Sequence, residues 1–349
     1  MKLLQFAQPE RGSRLGLVKG DDVFDLTACA SHPTSLHDLY YRHGGNKNSI
    51  ASTVESINIR NAPRLSLRDL LDNTDDPDQP HLISPVTAPA DAPHKLRIWL
   101  AGVTHEDSAK LREIEAKQAT GDTVNVYDQK YRECAQGGTP ELFAKNDTAA
   151  LVGHGGPISY PHNTQRLVPE TELVTIYGLN ATGQIERLGY TGGNDYTDNG
   201  IEAENPLNLP QAKNWSHGCA SLGPLMVTNS AYDDSSVAVS CEVIRNNTRI
   251  AYKEGHTGQN HLNMPDGLFH LERSLFSRLP LEPDTLQILY WGTPIVFSDD
   301  DLESGLREGD RVCMTFEGIG PLENPIVAFP QTNQLQWLEK RRKKLEGRS

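Results

Sequence analysis

The stretch Leu167-Val-Pro-Glu-Thr-Glu-Leu-Val-Thr-Ile-Tyr177 is predicted to be a β-strand, because Val, Thr, Ile and Tyr suit a pleated surface and Gly178 ends the run. Side chains of a strand alternate between its two faces, so Glu170 and Glu172 are expected to point to the same side. Two neighbouring carboxylates repel each other and resist burial unless a cation neutralises them. Hard ions such as Mg²⁺, Mn²⁺ or Ca²⁺ take carboxylate oxygens as ligands. The pair therefore indicates either a solvated strand end or part of a metal site.

Composition and charge restrict the class of protein. The chain has 349 residues and a net charge of −13, and its hydrophobic and charged fractions are ordinary for a soluble globular protein. An acidic chain offers no basic field to attract phosphates, so nucleic acid is not expected as a partner. The basic run Lys340-Arg-Arg-Lys-Lys344 is predicted to be the exposed face of a last helix.

Targeting and redox signals indicate a cytoplasmic protein. No apolar run approaches the ~20 residues that a membrane-spanning helix needs, so no membrane contact is expected. The N-terminus, Met1-Lys-Leu-Leu-Gln-Phe6, lacks the long apolar core of a secretion signal. The 5 cysteines are odd in number and form no C-x-x-C pair, which predicts reduced buried thiols and makes zinc an unexpected ligand.

The N-terminal part of the chain predicts a small α+β domain. Leu15–Leu26 holds two apolar runs around a Lys-Gly-Asp-Asp turn, which is the pattern of a β-hairpin. Short helices are predicted at residues 35–42 and 66–71. Residues 72–94 are rich in Asp and Pro with little apolar periodicity, so they are predicted to connect this domain, residues 1–94, to the next.

Residues 95–335 are predicted to form a larger, β-rich catalytic domain of mixed α/β class. It begins with a buried strand at residues 95–102, followed by a polar helix over 108–119. Residues 120–139 are polar and Gly-rich, which makes them a candidate for a mobile cover over an active site.

The C-terminal half predicts mainly strands with short loops. Predicted strands lie at 237–244, 249–252, 286–292 and 311–316, and one helix lies near 268–279. No G-x-G-x-x-G follows a strand and no phosphate loop is present, so nucleotide cofactors are not expected. Residues 336–349 are predicted to form a basic C-terminal helix or tail.

Further motifs follow the strand with the two glutamates. Gly193-Asn-Asp195 comes about twenty residues after Glu172, and Lys213, Leu222-Gly-Pro224 and Tyr290-Trp-Gly-Thr-Pro294 follow in that order. Their order and spacing resemble those of the fumarylacetoacetate hydrolase superfamily, over roughly two-thirds of the chain. The resemblance implies a β-roll catalytic domain and a homodimer or homotetramer.

Within that superfamily the chain is most similar to the 2-keto-3-deoxy-D-arabinonate dehydratases. Three segments carry this likeness: Pro140-Glu-Leu-Phe143, Pro169-Glu-Thr-Glu-Leu173 and Glu202-Ala-Glu-Asn-Pro-Leu-Asn-Leu-Pro-Gln-Ala-Lys213. The likeness implies Mg²⁺-dependent dehydration of a 2-keto-3-deoxy sugar acid. It also implies Mg²⁺ ligation by Glu170, Glu172 and Asp195, proton transfer by Lys213 and Glu141, and binding of the substrate carboxylate by Gly292 and Thr293.

General chemistry agrees with these implied roles. Three carboxylates leave open positions on Mg²⁺ for water and a chelating ligand, and Mn²⁺ or Ca²⁺ accept the same donors. A 2-keto acid chelates through a carboxylate and a keto oxygen, and the ion then stabilises the enolate formed when a C3 proton leaves. Lys213, shielded from water near a metal, can serve as the base, and Glu141 can protonate the departing C4 hydroxyl.

Each candidate also has a plain structural interpretation when it is taken alone. Asp195 after Gly-Gly-Asn suits a turn, and Lys213 suits a solvated surface. Glu141 after Thr-Pro suits the first turn of a helix, where a carboxylate interacts well with the helix dipole. Gly292 and Thr293 suit a strand-end turn. Only the ordered combination favours an active site.

One departure from the family pattern concerns the substrate anion. Most relatives place an Arg where this chain has Asn199, in the stretch Tyr196-Thr-Asp-Asn-Gly200. A cation is therefore missing where a substrate anion is held. Arg112, in the helix predicted over 108–119, and Lys145 are candidates to replace it.

Two other functions stay open. Acylpyruvate hydrolases of the superfamily activate water with a His–Glu pair, whereas this chain has Ser108 and Leu111 at the matching positions, and His105 and Glu106 come too early. Dehydration is therefore favoured over hydrolysis of a C–C bond in an acylpyruvate or diketo acid. The third possibility is an inactive relative that binds a metal or a sugar acid, because the family Arg is missing.

Overall fold

The computed structural model covers most of the chain. It describes residues 1–106, 109–110, 114, 126–145, 151–215, 218–280, 282–329 and 334–346. Arg112, Ser108, Leu111 and most of the helix predicted over 108–119 lie outside the described residues.

Strands form the larger part of the fold. In chain order they are β1 (Lys2–Gln8), β2 (Gly12–Lys19), β3 (Asp22–Asp25), β4 (Arg64–Ser66), β5 (His81–Ile83), β6 (Leu96–Gly102), β7 (Glu141–Ala144), β8 (Leu151–Val152), β9 (Ile158–Tyr160), β10 (Leu167–Val168), β11 (Thr171–Leu179), β12 (Ile185–Asp195), β13 (Thr197–Asp198), β14 (Ala220–Thr228), β15 (Val237–Arg245), β16 (Thr248–Thr257), β17 (Leu286–Tyr290), β18 (Arg311–Phe316) and β19 (Gly320–Ala328). The predicted β-rich, mixed α/β class is confirmed, and the strands predicted after residue 236 correspond to β15–β18.

The helices of the described residues are short. They are α1 (Leu36–Arg42), α2 (Ile50–Glu55), α3 (Leu67–Asp72), α4 (Val126–Ala135), α5 (Asn199–Glu204), α6 (Leu209–Ala212), α7 (Leu268–Phe276) and α8 (Gln334–Glu346). The side chains of Ser35, Ser49 and Ser66 cap α1, α2 and α3 by accepting a hydrogen bond from a first-turn N–H. The helices predicted near 35–42, 66–71 and 268–279 are confirmed.

Helix α4 falls in the segment that was expected to be a mobile cover. Its polar, Gly-rich composition gave no helix prediction for residues 120–139, and Val126–Ala135 is helical in the structure, while the mobility of the segment stays a prediction. The helix buries Tyr127 near its start and Cys134 near its end, and these side chains pack against the rest of the protein.

Strand β11 lies in the middle of a 12-stranded sheet. The strand order is β4-β3-β2-β1-β14-β12-β11-β17-β6-β7, with β5 paired to β1 and β8 paired to β14. Leu173 and Tyr177 of β11 pack into one hydrophobic cluster, whereas Val174 and Ile176 pack into another on the opposite face. Because both faces of β11 are covered, any polar side chain on it needs a partner inside the protein.

The strand predicted over residues 167–177 is divided in two. β10 pairs with β13 in a separate 2-stranded sheet, whereas β11 starts at Thr171. Pro169 has no N–H to donate to a β-ladder, which explains the interruption. The backbone N–H of Glu170 donates instead to the side-chain Oδ1 of Asn194 at 2.8 Å. A further 5-stranded sheet has the order β16-β15-β18-β19-β9.

The N-terminal strands extend the large sheet. β2 and β3 form the predicted hairpin, with Lys19 opposite Asp22. β1 pairs with β14, so that Lys2 lies opposite Val227 and strands from both sides of residue 94 share one sheet. The domain division at residue 94 stays a prediction.

Helix α8 is exposed over residues 336–346. Trp337 is 57% exposed and Leu338 53% exposed, and the basic run is exposed with them, which confirms the predicted solvent-facing helix. Among the described residues, every helix is too short or too polar to traverse a lipid bilayer. The homodimer or homotetramer stays a prediction.

Replacement of Ile176 tests the importance of the doubly covered central strand. Ile176→Ala removes three carbon atoms from a fully buried site, so we expect the free energy of unfolding to fall by about 2–5 kcal/mol in a denaturant titration. Leu207→Ala is the matched control, because Leu207 is 85% exposed and its replacement should change that energy by less than about 0.5 kcal/mol. Equal losses in the free energy of unfolding for the two variants would contradict the assignment of β11 to the hydrophobic core.

Candidate active site

Three carboxylates meet where β11 begins and β12 ends. Glu170 precedes β11, Glu172 lies on it, and Asp195 is the last residue of β12. The two strands are paired with Glu172 opposite Gly193, which brings their acidic ends together. One oxygen from each carboxylate lies within 4.8 Å of the others, and the three residues are between 1% and 5% exposed. The structure thus brings together the three residues that the sequence suggested as metal ligands.

Backbone hydrogen bonds position the Glu172 carboxylate and join the main chains of Glu170 and Asp195. The N–H of Gly292 donates to Glu172 Oε2 at 2.7 Å, and the N–H of Asp195 donates to the carbonyl oxygen of Glu170 at 3.1 Å. Gly292 has a φ of +88°, and a Cβ there would lie 2.0 Å from the Thr104 hydroxyl. Only glycine therefore places this N–H on Glu172 without strain or a clash.

The electrostatics of the three carboxylates favour a cation. Burial raises the pKa of Glu172 well above its ordinary value, and the negative charges of Asp195 and Glu170 raise it further. A bound divalent cation would counter both causes. Because every donor in the set is a carboxylate oxygen, the site fits a hard divalent metal ion.

Two buried lysines share the same carboxylates. Nζ of Lys213 lies 2.7 Å from Glu170 Oε2 and 2.9 Å from Asp195 Oδ2. Nζ of Lys145 lies 2.5 Å from Asp195 Oδ1. A charged amine that is this deeply buried needs close anionic partners. The three carboxylates and two lysines therefore form one ionic cluster, and this name is used for them below.

Lys145 lies away from the cavity that is described below. Besides the ion pair with Asp195, its Nζ donates to the backbone carbonyl of Lys213 and, at 3.4 Å, to that of Tyr196. These contacts link a candidate metal ligand to the backbone of the candidate base. The substrate-binding role of Lys145 stays a prediction.

Thr197 is a site residue that the sequence did not reveal. Its hydroxyl donates to Glu170 Oε1 at 3.0 Å and accepts a hydrogen bond from Lys213 Nζ at 2.6 Å. Lys213 itself follows α6, and this short helix carries its amine to the ionic cluster. Thr is common in strands, so nothing in the pattern singled out Thr197 beyond its place two residues after Asp195.

A cavity opens beside the ionic cluster. Its empty volume is about 380 Å³, and part of this space is open to solvent. Four carboxylates and one amine lie in its wall: Glu141, Glu170, Asp195, Glu202 and Lys213. Gly292 and Thr293 and several apolar groups, including Tyr127 of α4, complete the wall. Glu202 was part of a family-like segment, but no role had been predicted for it.

Glu141 is placed for acid–base chemistry. It lies on β7 opposite Gly102, so the alternative position in a helix first turn is wrong. A Cβ on Gly102 would lie 1.9 Å from Glu141 Oε2, so the side chain fits only over a glycine. Burial raises the pKa of Glu141 to about 7, and the negative charge of Glu202 adds to the shift. Near neutral pH Glu141 therefore carries a proton part of the time.

Gly292 and Thr293 line the cavity, but their described polar groups are engaged with the protein. The Gly292 N–H donates to Glu172, and the Thr293 hydroxyl donates to the carbonyl oxygen of Ile295 at 2.6 Å. Their role in holding a substrate carboxylate stays a prediction. Asn199, at the position of the family Arg, is buried and lies outside the cavity wall.

His105 is not arranged to activate water in this cavity. Its ring nitrogens lie 2.9 Å from Thr104 Oγ1 and 3.1 Å from Thr257 Oγ1. Complete burial lowers the pKa of His105 to about 3, so the ring is neutral and serves as a hydrogen-bonding partner in the interior. Glu106 points outward and forms an ion pair with Lys110. Among the described residues of the cavity wall there is no His–Glu pair.

Replacement of Glu172 tests the metal site. We expect Glu172→Gln to lower Mg²⁺ affinity at least tenfold, measured by calorimetry or by the rise in Tm that Mg²⁺ produces. Because Gln is neutral, the metal-free variant should be at least as stable as the metal-free wild type. Glu55→Gln, at an exposed position on α2, is the control and should leave both quantities unchanged. Unaltered Mg²⁺ affinity in Glu172→Gln would exclude this residue as a ligand.

Comparisons with known proteins identify the family of this chain. Residues 112–327 match the model of the fumarylacetoacetate (FAA) hydrolase C-terminal family. A Haloferax volcanii protein named as a probable 2-keto-3-deoxyxylonate dehydratase is 30% identical over 314 residues, which cover 90% of this chain and 95% of that protein. The 2-dehydro-3-deoxy-D-arabinonate dehydratase of Saccharolobus solfataricus is 30% identical over 242 residues, or 69% of this chain and 74% of that protein.

A solved structure has the same fold. It is a 2-keto-3-deoxy-D-arabinonate dehydratase complexed with magnesium and 2,5-dioxopentanoate, with a TM-score of 0.67 and 23% identity, and the match covers 95% of this chain and all of that one. Together with the matched family model, these relatives confirm the resemblance that the motifs indicated. The chain belongs to the fumarylacetoacetate hydrolase family and is one of its enzymes.

Proposed function

We propose that this enzyme is a Mg²⁺-dependent dehydratase of a 2-keto-3-deoxy sugar acid. One observation carries the proposal: a single cavity is lined by Glu170 and Asp195 of the clustered carboxylates, by Lys213, and by Glu141, whose pKa burial raises to about 7. Both sequence relatives named above are dehydratases of such acids. The solved dehydratase of the same fold is complexed with magnesium, and three carboxylates are donors that Mg²⁺ commonly takes.

The metal site supplies one part of the chemistry. When Mg²⁺ is bound by Glu170, Glu172 and Asp195, it would polarise the 2-keto group and thereby make the C3 proton of the substrate more acidic. The chain supplies the remaining parts. The Gly292 N–H holds the Glu172 carboxylate, and Lys213 holds those of Glu170 and Asp195, so all three are positioned before the substrate arrives and less reorganisation is needed for reaction.

Lys213 and Glu141 divide the two proton transfers between them. Lys213 Nζ lies in the cavity wall beside the carboxylates, where it can take the proton from C3 once it is in the neutral form. Glu141 holds a proton near neutral pH and can give it to the C4 hydroxyl as the C4–O bond breaks. Loss of H from C3 and OH from C4 releases one water, and tautomerisation of a pentonate product gives a 2,5-dioxo acid.

The competing function is hydrolysis of a C–C bond in an acylpyruvate. That reaction requires an activated water, and the described part of the cavity wall contains no His–Glu pair to activate one. Glu141 with a raised pKa is, in contrast, an acid ready for a leaving hydroxyl. These two observations favour dehydration.

A two-substrate assay separates the reactions. With Mg²⁺ present, we expect a 2,5-dioxo acid to form from 2-keto-3-deoxy-pentonate, detected by chromatography or by reduction of the aldehyde. Acylpyruvates should keep their diketone absorbance and release no pyruvate. Pyruvate release without any dehydration would reverse the assignment. A protein that binds Mg²⁺ but is inactive on both substrates would be an inactive relative.

The pH dependence of kcat tests Glu141 as the acid. A proton donor with a pKa of about 7 is active below that pH and lost above it, so kcat should fall tenfold per pH unit on the alkaline side. Glu141→Gln should lower kcat by about 10²–10⁴-fold and remove this alkaline decline. Glu133→Gln, at a position on α4 that is outside the cavity wall, should keep the wild-type profile. If the alkaline decline of kcat persists in Glu141→Gln, another group is responsible for that decline.

A further inference from the structure

The peptide group that donates the Gly292 N–H to Glu172 is also held from its other side. Its carbonyl, that of Trp291, accepts a hydrogen bond from the Thr104 hydroxyl at 2.6 Å. The carbonyl and the N–H of a planar trans peptide point in opposite directions. Thr104 therefore fixes the plane of this peptide, and that plane sets the direction in which the N–H meets Glu172 Oε2, 2.7 Å away.

The Thr104 hydroxyl is part of a longer chain of hydrogen bonds. Its Oγ1 lies 2.9 Å from Nδ1 of His105, and Nε2 of His105 lies 3.1 Å from the Thr257 hydroxyl. Thr104 and His105 follow β6, whereas Thr257 ends β16. The three residues are between 0% and 4% exposed, so bulk water competes little for these bonds.

The partners fix the direction of each hydrogen bond. A carbonyl oxygen only accepts, so the single hydroxyl proton of Thr104 goes to Trp291, and the Thr104 oxygen accepts from His105 Nδ1. Burial lowers the pKa of His105 to about 3, so at neutral pH its ring carries one proton and Nε2 accepts from Thr257. The chain of donors therefore runs from Thr257 through His105 to Thr104.

The backbone around Thr104 is held in an unfavourable conformation. Val103 has a φ of +54°, in the left-handed region that β-branched residues rarely adopt. Such a conformation persists only where surrounding contacts maintain it. The N–H of Asn263 donates to the carbonyl oxygen of Thr104 at 3.0 Å, and the Thr104 side chain occupies the space that a Cβ on Gly292 would need. These contacts keep the Thr104 hydroxyl at the Trp291 carbonyl.

We propose that His105 and Thr104 are positioning residues of the metal site, which act by holding the Glu172 carboxylate in place. They act through the peptide between Trp291 and Gly292, whose two polar groups they and Glu172 engage. Hydrogen-bonded partners of a metal ligand commonly orient it, and loss of such a partner lowers metal affinity. The inference rests on Glu172 as a metal ligand and thus deepens the proposed function.

Mg²⁺ affinity, measured by calorimetry, tests the Thr104 hydroxyl. Thr104→Val keeps the shape of the side chain and removes the hydroxyl, so we expect Mg²⁺ affinity to fall about 10–100-fold. Thr104→Ser keeps the hydroxyl and should bind Mg²⁺ within about threefold of wild type. An unchanged affinity in Thr104→Val, or an equal loss in the two variants, would overturn the proposal.

A double-mutant cycle tests whether Thr104 acts through Glu172. Glu172→Ala removes the carboxylate, so in that background Thr104→Val should lower Mg²⁺ affinity by less than about twofold further. A further loss as large as the one in the wild-type background would overturn the proposal. If Glu172→Ala alone leaves Mg²⁺ affinity unchanged, the metal site fails, and the proposed function and this inference fail with it. If Glu172→Ala weakens binding and Thr104→Val does not, this inference alone fails.

Two replacements of His105 test the next member of the chain. His105→Asn keeps an N–H donor near the position of Nδ1 and should bind Mg²⁺ within about threefold of wild type, whereas His105→Leu should lose about tenfold. His154→Leu is the matched control, because His154 is also 4% exposed and bonds to Leu71 and Glu323, which lie outside the cavity wall. It should leave Mg²⁺ affinity unchanged. Equal losses in His154→Leu and His105→Leu would indicate general destabilisation and overturn the role of His105.

Discussion

Burial of three like charges in one place is the constraint on which the rest of this structure depends. Glu170, Glu172 and Asp195 could not remain ionised together in a dry interior without nearby positive charge. Lys213 and Lys145 supply part of that charge. Burial and the charges of Asp195 and Glu170 nevertheless raise the pKa of Glu172. A divalent cation would offset this repulsion, which is why the three carboxylates fit a divalent metal ion.

The fold keeps the three carboxylates buried next to one another. β11 is covered on both faces, so a carboxylate at its start cannot rotate into bulk water. Strand pairing fixes the distance from Glu172 to the end of β12, and the turn at Gly292 aims a backbone N–H at Glu172. The strand pairing and the turn at Gly292 are both main-chain features, and main-chain geometry changes little when surface residues change. The site is thus a property of the sheet as much as of its acidic residues.

The sequence predicted the three clustered carboxylates better than it predicted the other residues of the cavity wall. Alternation along a strand suggested that Glu170 and Glu172 share one side, whereas Asp195 was joined to them only through the family resemblance of its Gly-Asn-Asp motif. Glu202 could not be found in this way, because its place in the cavity depends on how α5 packs. The division of the strand at Pro169 has a local cause, the missing N–H of proline, whereas the helix at Val126–Ala135 packs through Tyr127 and Cys134, which polar composition alone does not indicate.

The difference between the three clustered carboxylates and the other residues of the cavity wall suggests how one fold can serve different reactions. In the proposed function, the metal site binds only the 2-keto acid group, which sugar acids and acylpyruvates share, so it cannot distinguish dehydration from C–C cleavage. That distinction must come from groups that meet the rest of the substrate. Glu141 lies in the cavity wall, and burial raises its pKa to about 7. A carboxyl group of this kind can give a proton to a leaving hydroxyl, which a C–C hydrolase does not require. The acid in the cavity wall therefore argues for a substrate with a leaving hydroxyl, even though the three carboxylates would suit either class.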